Sequence, residues 1–419
     1  MSKSHKESPT AIESIFDERL YREANPDVVD LLRRGVFRSG LDHFQQVGGS
    51  EIEVAGSSRR LPFKSGDYIL DFDQDAYAED NPDVQEMVNK GEYRSGLQHF
   101  LLTGYGEIRD GKRSLYRSRR FTALRGVLAG YVRPRQCRHV CIFAHYDVQS
   151  IIDRYVLDYL EAIRQSNLDV IFVTATNDRQ ELERVRPFAS KIFVKNDGGR
   201  DFGSWHMVLK HLGISYFDPY DYLVLANDSV YCLRAAFRDM MKEMLNRGLN
   251  LWGATDSVQL GQYHLQSYFL ALDATARAQL LPSFMAKYDG HPYLTKRGQI
   301  LEYELGLSRA ARQADLRCGV RYSTIDIIRE IAERDELRNW RAVTIGGAQT
   351  INPTIDLWDL LVERFGLPYV KVQLLRDNPS KLGNVNNWRK VVSGRGLDAD
   401  IVDAHLRRMA FHKELLGRV

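Results

Sequence analysis

VKNDGGRDFGSWHMVLKHLGISYFDPYDYLVLANDSVYC, residues 194–232, decides how this chain is read. It holds two polar clusters, Asn196-Asp197-Gly198-Gly199-Arg200-Asp201 and Asn227-Asp228-Ser229, each at the exit of an apolar run. The runs, residues 191–194 and 222–226, are short and apolar, so both read as buried strands. In doubly wound α/β folds the crevice beyond the carboxyl ends of the strands binds the ligand. Gly198 and Gly199 let a backbone approach a ligand closely, Arg200 suits a diphosphate, and Asp201 or Asp228 suits a ribose or a divalent cation. The same strings also fit a tight turn with self-bonded Asp side chains and a helix N-cap. Taken singly, neither string separates the two readings.

Working outward, strand, helix, strand, helix, strand is the order over residues 140–147, 151–166, 168–175, 179–189 and 191–194. That order predicts a mostly parallel sheet with right-handed crossovers, half of a nucleotide-binding fold. His145, Tyr146 and Asp147 then fall at the carboxyl end of the first strand, beside both clusters. Downstream, a helix is expected over 233–247, then NLWGATDS (250–257), QYHLQSYFLAL (262–272), a helix from Ala274, and a long helix over 298–318 with Glu302 and Glu304 in its first half.

Upstream, the first 112 residues contain a repeat at an offset of 56 residues. Phe16-Asp17, Tyr21 and Asn25-Pro26-Asp27-Val28 recur as Phe72-Asp73, Tyr77 and Asn81-Pro82-Asp83-Val84, and Arg38-Ser39-Gly40-Leu41 with His43-Phe44 recurs as Arg94-Ser95-Gly96-Leu97 with His99-Phe100. Each copy, 14–50 and 70–112, reads as short helices around an Asn-Pro-Asp turn, a small all-α accessory module with a Gly/Ser-rich loop at 48–60. His43 and His99 are ligand candidates whose ordinary reading is a satisfied core histidine. Residues 110–138 are basic, with Arg117, Arg119, Arg120 and Arg125 among them. A linker helix is expected over 113–138, packed on the next domain or resting on an anionic membrane surface. The α/β domain is expected to fill 139–419.

Composition narrows the class. Of 419 residues 44% are hydrophobic and 27% charged, as in ordinary globular proteins. A formal net charge of +3 offers no global case for a nucleic-acid partner. No signal-peptide core and no apolar run of membrane-spanning length is present, so a cytoplasmic protein is expected, with at most a peripheral contact at the inner membrane face. Cys137, Cys141, Cys232 and Cys318 are too scattered for a disulfide framework or a zinc site and read as free thiols.

The run 140–379 resembles the rhamnan synthesis protein F family of bacterial polysaccharide glycosyltransferases. The residues that carry the likeness are NDGGRDFGSW (196–205), DYLVLANDSVYC (221–232), LWGATDS (251–257), HLQSYFL (264–270), YELGLS (303–308), and NPTIDLWDLL followed by LPYVKVQLLRDNP. The resemblance implies a GT-A-like nucleotide-sugar-binding fold and transfer of a sugar, most often L-rhamnose from dTDP-L-rhamnose, with inversion, to a growing cell-surface glycan of the O-antigen or rhamnan type. Such a transferase must hold a diphosphate leaving group and deprotonate an acceptor hydroxyl. On that reading Asp147, Asp197, Gly198, Gly199, Arg200, Asp201, Asn227, Asp228 and Ser229 contact the donor. Asp228 stands where such enzymes carry an Asp-x-Asp metal motif, with Mg or Mn as the implied cation, although one carboxylate is a thin ligand set. Glu302 and Glu304 are the candidate bases, with Asp256 competing; helix-dipole complementation is their ordinary reading. Trp252, His264 and Tyr268 are candidate acceptor contacts, and Trp205 a candidate sugar platform, where aromatic residues otherwise read as core. Trp358, Lys371 and Arg376 are placed to close over the diphosphate. Two alternatives stay open: another nucleotide hexose as donor, or a non-catalytic glycan-binding or scaffolding protein of polysaccharide synthesis.

Overall fold

The computed structural model describes residues 12, 15–53, 59–65, 68–113, 124–130, 137–196, 199–258, 262–290, 296–333, 351–381 and 385–416. The chain divides into two compact units, Met1–Phe121 with His291–Ile300, and Thr122–Gly290 with Leu301–Val419.

In the first unit the repeat is a repeat of structure. Each copy runs through two helices hinged at Asn-Pro, Glu18–Ala24 and Pro26–Arg33 in one, Gln74–Asp80 and Pro82–Asn89 in the other. Pro at the first helical turn lacks only an N–H that would have no partner there. The hinge side chains Asn25 and Asn81 each donate to the carbonyl of the preceding Tyr at 2.8 Å. Ser39 and Ser95 cap the next short helices, accepting from Asp42 and Gln98 N–H at 3.0 Å. A wide π-turn follows in each copy, Phe44–Gly48 and Phe100–Gly104. It brings the histidine to the tyrosine: Tyr21 Oη lies 3.0 Å from His43 Nδ1, and Tyr77 Oη 2.8 Å from His99 Nδ1. Burial holds both imidazoles below their ordinary pKa. These are satisfied core histidines. Arg59 and Arg113 finish the copies by bridging two carboxylates each, Asp27 with Glu51 and Asp83 with Glu107.

The unit is not all-α. Strands β1 (Pro62–Ser65) and β2 (Tyr68–Asp71) form an antiparallel hairpin between the copies, and the expected 48–60 loop begins with a helical turn, Gly49–Ile52. Phe63, 0% exposed, packs edge-on against Phe100, which supplies the apolar reason for the hairpin to dock there.

The second unit is built on one nine-stranded sheet. Its strands are β3 (Leu124–Ala129), β4 (His139–His145), β5 (Leu168–Thr174), β6 (Lys191–Lys195), β7 (Tyr222–Asn227), β9 (Leu251–Ser257), β10 (His264–Leu265), β11 (Phe269–Asp273) and β12 (Cys318–Tyr322); β8 (Val230–Cys232) pairs instead with β13 (Tyr369–Lys371). The order is β9, β11, β7, β4, β5, β6, β3, with β10 and β12 also on β9. β4, β5, β6 and β7 are mutually parallel, while β11 runs antiparallel to β7 and to β9. The carboxyl ends of β4, β5, β6, β7 and β9 therefore share one edge. β5 and β7 are buried at every position, which is why their sequences are mostly apolar, Asp169 of β5 being the buried charged exception. The mixed α/β architecture with a mostly parallel sheet between helices is as expected.

One expected element changes type. Leu124–Ala129, assigned to a linker helix, is the edge strand β3, antiparallel to β6. Without it β6 would expose a row of unpaired backbone groups, and its alternation of half-buried Leu124, Gly126 and Leu128 with exposed Arg125, Val127 and Ala129 suits a covered edge. At the strand's end Gly130 donates to Ser190 O at 3.0 Å, and a Cβ there would overlap the carbonyl of Ala189. The rest of the basic stretch, 114–123 and 131–136, lies outside the described residues.

Gly48 and Gly104 face the Tyr hydroxyls so closely that a Cβ would overlap them. Gly104→Ala is therefore expected to break the Tyr77–His99 contact and to cost the first unit about 2 kcal/mol. Hydrogen exchange on the full chain would show faster exchange over residues 72–109 and an unchanged sheet; unaltered exchange there would contradict the packing described.

Candidate active site

The site grows from the carboxyl ends of β4 and β7. Asp228, one residue beyond β7, donates its N–H to Ala144 O at 3.3 Å, and its Oδ2 accepts the Tyr146 N–H at 2.9 Å. Tyr155, from the helix Arg154–Gln165, donates its hydroxyl to the Asp228 carbonyl at 3.0 Å. His145 Nε2 lies 3.8 Å from Asp228 Oδ2, and its Nδ1 pairs with Thr174 Oγ1 at 2.9 Å. Burial pushes the His145 pKa down to about 4, so at neutral pH the imidazole is uncharged. Asp228 has no cation from that neighbour.

The helix Arg200–Leu212 delivers the second carboxylate. Gly199 (φ 72°) and Arg200 (φ 50°) are both left-handed, and for Arg200 that backbone costs of order 1–3 kcal/mol, a strain that clusters at binding turns. Tyr288 steadies the turn by donating to Gly199 O at 3.2 Å. Asp197 and Gly198 lie outside the described residues. Asp201 Oδ2 accepts Asn227 Nδ2 at 2.7 Å, while Asn227 Oδ1 accepts both the N–H (3.1 Å) and the hydroxyl (2.6 Å) of Ser229. One amide thus locks both clusters together.

Two half-buried carboxylates come within each other's field as a result. Burial, and then repulsion from Asp201, raise Asp228 well above the ordinary carboxylate range. Asp201 is raised by burial too, opposed by the charges of Arg200, Lys371 and Lys195. Lys195, 1% exposed, ends β6 and donates to Asn196 O at 3.2 Å; Arg125 of β3 reaches the same residue, donating to Asn196 Oδ1 at 2.5 Å. Lys371 ends β13, opposite Val230 of β8.

Asp147 has another role than the donor contact expected of it. Its Oδ1 accepts the N–H groups of Gln149 (2.9 Å) and Ile151 (3.1 Å), and both oxygens bond Arg408 of the helix Ala399–Leu416, at 3.2 and 2.6 Å. Burial alone would raise its pKa, but the Arg408 bonds bring it below the ordinary range. Arg408 also holds Asp153 and Gln149, so the turn after β4 is pinned from within the second unit.

The other candidates separate by burial and partner. Trp252 is 0% exposed against Phe269 and Tyr222, and Trp205 and Trp358 are equally enclosed. Trp252 and Trp205 offer no face to a sugar and Trp358 none to a diphosphate, which corrects the roles expected of them. Tyr268 is 2% exposed, with its hydroxyl 2.8 Å from Thr255 Oγ1, and so is an inner wall instead of an acceptor platform. His264 is buried, with Nδ1 2.9 Å from Gln262 O. Asp256 accepts the Thr324 N–H at 2.7 Å and ties β9 to the helix Thr324–Glu333. Glu302 is ion-paired with Lys287. Glu304, at the end of a π-turn (Ile300–Glu304), accepts the Ser267 N–H at 2.8 Å through Oε1, and among the described residues its Oε2 has no hydrogen-bond partner.

A divalent cation does not fit what is found at Asp228. Hard cations take six or more oxygen ligands with several carboxylates. Here Asn227 Oδ1 is filled by Ser229, the Ser229 hydroxyl proton points at that same oxygen, and three cationic side chains already act on Asp201. Among the described residues no group of three or more His, Cys, Asp or Glu could hold a metal ion. Nor is any helix among them long and apolar enough to cross a membrane.

Residues 170–304 match the family described as rhamnan synthesis protein F, RgpF. The motif resemblance thus holds over the segment that carries Arg200, Asp201, Asn227, Asp228 and Glu304, and ties it to glycosyltransferase-like proteins of rhamnan-type polysaccharide synthesis. The repeats, Lys371 and Arg408 lie outside that match. Virulence protein VirA of Vibrio anguillarum, from strain ATCC 68554 / 775 and from the species at large, is 27% identical over 265 residues, 58% of this chain and 81% of that protein. Mannosyltransferase PcManGT from Pyrobaculum calidifontis, solved in complex with GDP-Man and Mn2+, aligns over 69% of this chain and 84% of that one at 11% identity and a TM-score of 0.29, too loose a superposition to carry weight.

His145 sets a pH dependence. Its folded pKa near 4 lies below the unfolded value near 6.5, so the unfolded chain binds the proton first and its contribution to stability is lost as pH falls through that window. Between pH 6.5 and 5 that amounts to about 2 kcal/mol. Urea unfolding of His145→Gln is expected to show a flatter pH profile than the parent over this range; parallel profiles would mean that His145 is protonated in the fold.

Proposed function

We propose that the chain is an inverting glycosyltransferase that moves a hexose, L-rhamnose from dTDP-L-rhamnose in the reading the motifs favour, onto a growing cell-surface polysaccharide. The observation that supports this most is the Asp201–Asn227–Asp228 lock with Arg200, Lys195 and Lys371 around it, at the carboxyl edge of parallel strands and largely within the RgpF-matched segment. That edge is where α/β sheets bind nucleotides.

In the reaction the acceptor oxygen forms a bond to the anomeric carbon as the bond from that carbon to the diphosphate breaks, and the nucleoside diphosphate leaves with the electron pair. The cationic groups meet the charge that develops on the diphosphate. The acceptor proton goes to a carboxylate, for which Glu304 is the choice: Glu302 is committed to Lys287 and Asp256 to Thr324. Asp228 and Asp201 hold the donor's ribose and sugar hydroxyls as hydrogen-bond acceptors. A lipid-linked glycan acceptor would bring the basic stretch 110–138 to the cytoplasmic face of the membrane, where its charge suits anionic lipid.

The test is turnover of dTDP-L-rhamnose, UDP-, GDP- and other dTDP-hexoses by the purified full chain, read as nucleoside diphosphate release and as glycan extension. Asp228→Ala and Glu304→Gln are each expected to lower turnover about a hundredfold or more while the melting temperature stays close to the parent's. Full activity in Asp228→Ala, or no turnover of any donor, would favour a non-catalytic glycan-binding role.

A further inference from the structure

Lys371 stands outside the matched segment, yet the fold delivers it to the centre of the site. It is the last residue of β13, opposite Val230, and the next residue, Val372, donates its N–H to Ser229 O at 2.9 Å. The lysine backbone is therefore fastened directly beside the Asn227-Asp228-Ser229 triplet. Its Nζ sits 3.9 Å from the centroid of the Tyr268 ring, a cation–π contact, and Tyr268 is in turn held by Thr255 Oγ1. A flexible four-carbon stem is thereby given a fixed end.

The other two residues that the C-terminal motif put forward for the same role lie in other surroundings. Trp358 is buried in the core, and Arg376 is ion-paired with Asp377 at 2.7 Å. Arg200 stands at the start of its helix, next in sequence to Asp201, and its charge acts on that carboxylate as that of Lys371 does. Among the described residues three cations, Arg200, Lys371 and Lys195, act on Asp201. These cations repel a doubly charged metal ion and attract a diphosphate.

We propose that Lys371 is a further catalytic residue, which with Arg200 binds the diphosphate of the nucleotide-sugar donor and takes the place of a divalent cation as its leaving-group electrophile. The proposal rests on the transferase reading and adds to it the group that neutralises the departing oxygen. When the anomeric C–O bond breaks, the electron pair stays on the diphosphate, and the Lys371 ammonium meets the added charge without giving up a proton. A point charge on a stem braced by Tyr268 does this without the set of carboxylate ligands a hard cation needs.

Calorimetric titration of the full chain with dTDP, UDP and GDP, in EDTA and then with excess Mg²⁺ or Mn²⁺, tests it. One nucleoside diphosphate is expected to bind in EDTA within about threefold of its affinity with cation. Lys371→Met and Lys371→Gln should each weaken that binding about tenfold or more, and Lys371→Arg should stay within about threefold of the parent. Melting curves establish that each variant is folded, and two neutral replacements guard against one that is not. Binding that appears only with added cation, or neutral variants that bind like the parent, would overturn the assignment and leave the transferase reading standing. No binding of any nucleoside diphosphate under either condition would overturn both.

Discussion

Two half-buried carboxylates within each other's field are the constraint around which the second unit is arranged. Asp201 and Asp228 arrive from different elements, a helix start and a strand end, and a single amide, Asn227, fixes their relation. Burying such a pair is unfavourable unless positive charge comes with it. The fold brings that charge from three places: Lys195 at the end of β6, Arg200 at the head of its helix, and Lys371 from a strand nearly 150 residues downstream of Asp228. The small β8–β13 pairing, which contributes little to the main sheet, is explained by this need, since it is what carries Lys371 to the edge.

The same logic, one cation between two acids, recurs away from the site. Arg59 joins Asp27 to Glu51, Arg113 joins Asp83 to Glu107, and Arg408 joins Asp147 to Asp153. In the repeats the bridge closes each copy on itself. In the second unit it pins the turn that presents Tyr146 N–H to Asp228, so the C-terminal helix shapes the site without touching its centre. Asp147, which looks like a ligand contact in the sequence, turns out to belong to this scaffold.

What was legible in the sequence follows from range. β4, β5, β6 and β7 were readable because strands buried on both faces are mostly apolar, and the polar residues at their exits marked the edge where a site could form. The Asn227-Asp228-Ser229 and Gly199-Arg200-Asp201 clusters came with them. β3 was not readable, because Leu124, Val127 and Leu128 suit a helix face as well as an alternating strand, and only the open edge of β6 decides between them. For Trp252, Trp205 and Tyr268 the sequence allowed both a sugar platform and a core position, and only the fold, which encloses all three, decides for the core. Lys371 and Arg408 found their partners only through the fold, and nothing local to either residue marks the acid it serves. The repeats were visible as an offset of 56 residues, yet Arg59 and Arg113, spaced 54 apart, fell outside the matching strings.

A crystal structure of the full chain with the nucleoside diphosphate that it binds would test the central claim most directly. The diphosphate is expected between Arg200 and Lys371, at the carboxyl ends of β4 and β7, with Asp201 and Asp228 facing the ribose and the sugar position. A nucleotide seated elsewhere, or a diphosphate held away from both cations, would contradict it.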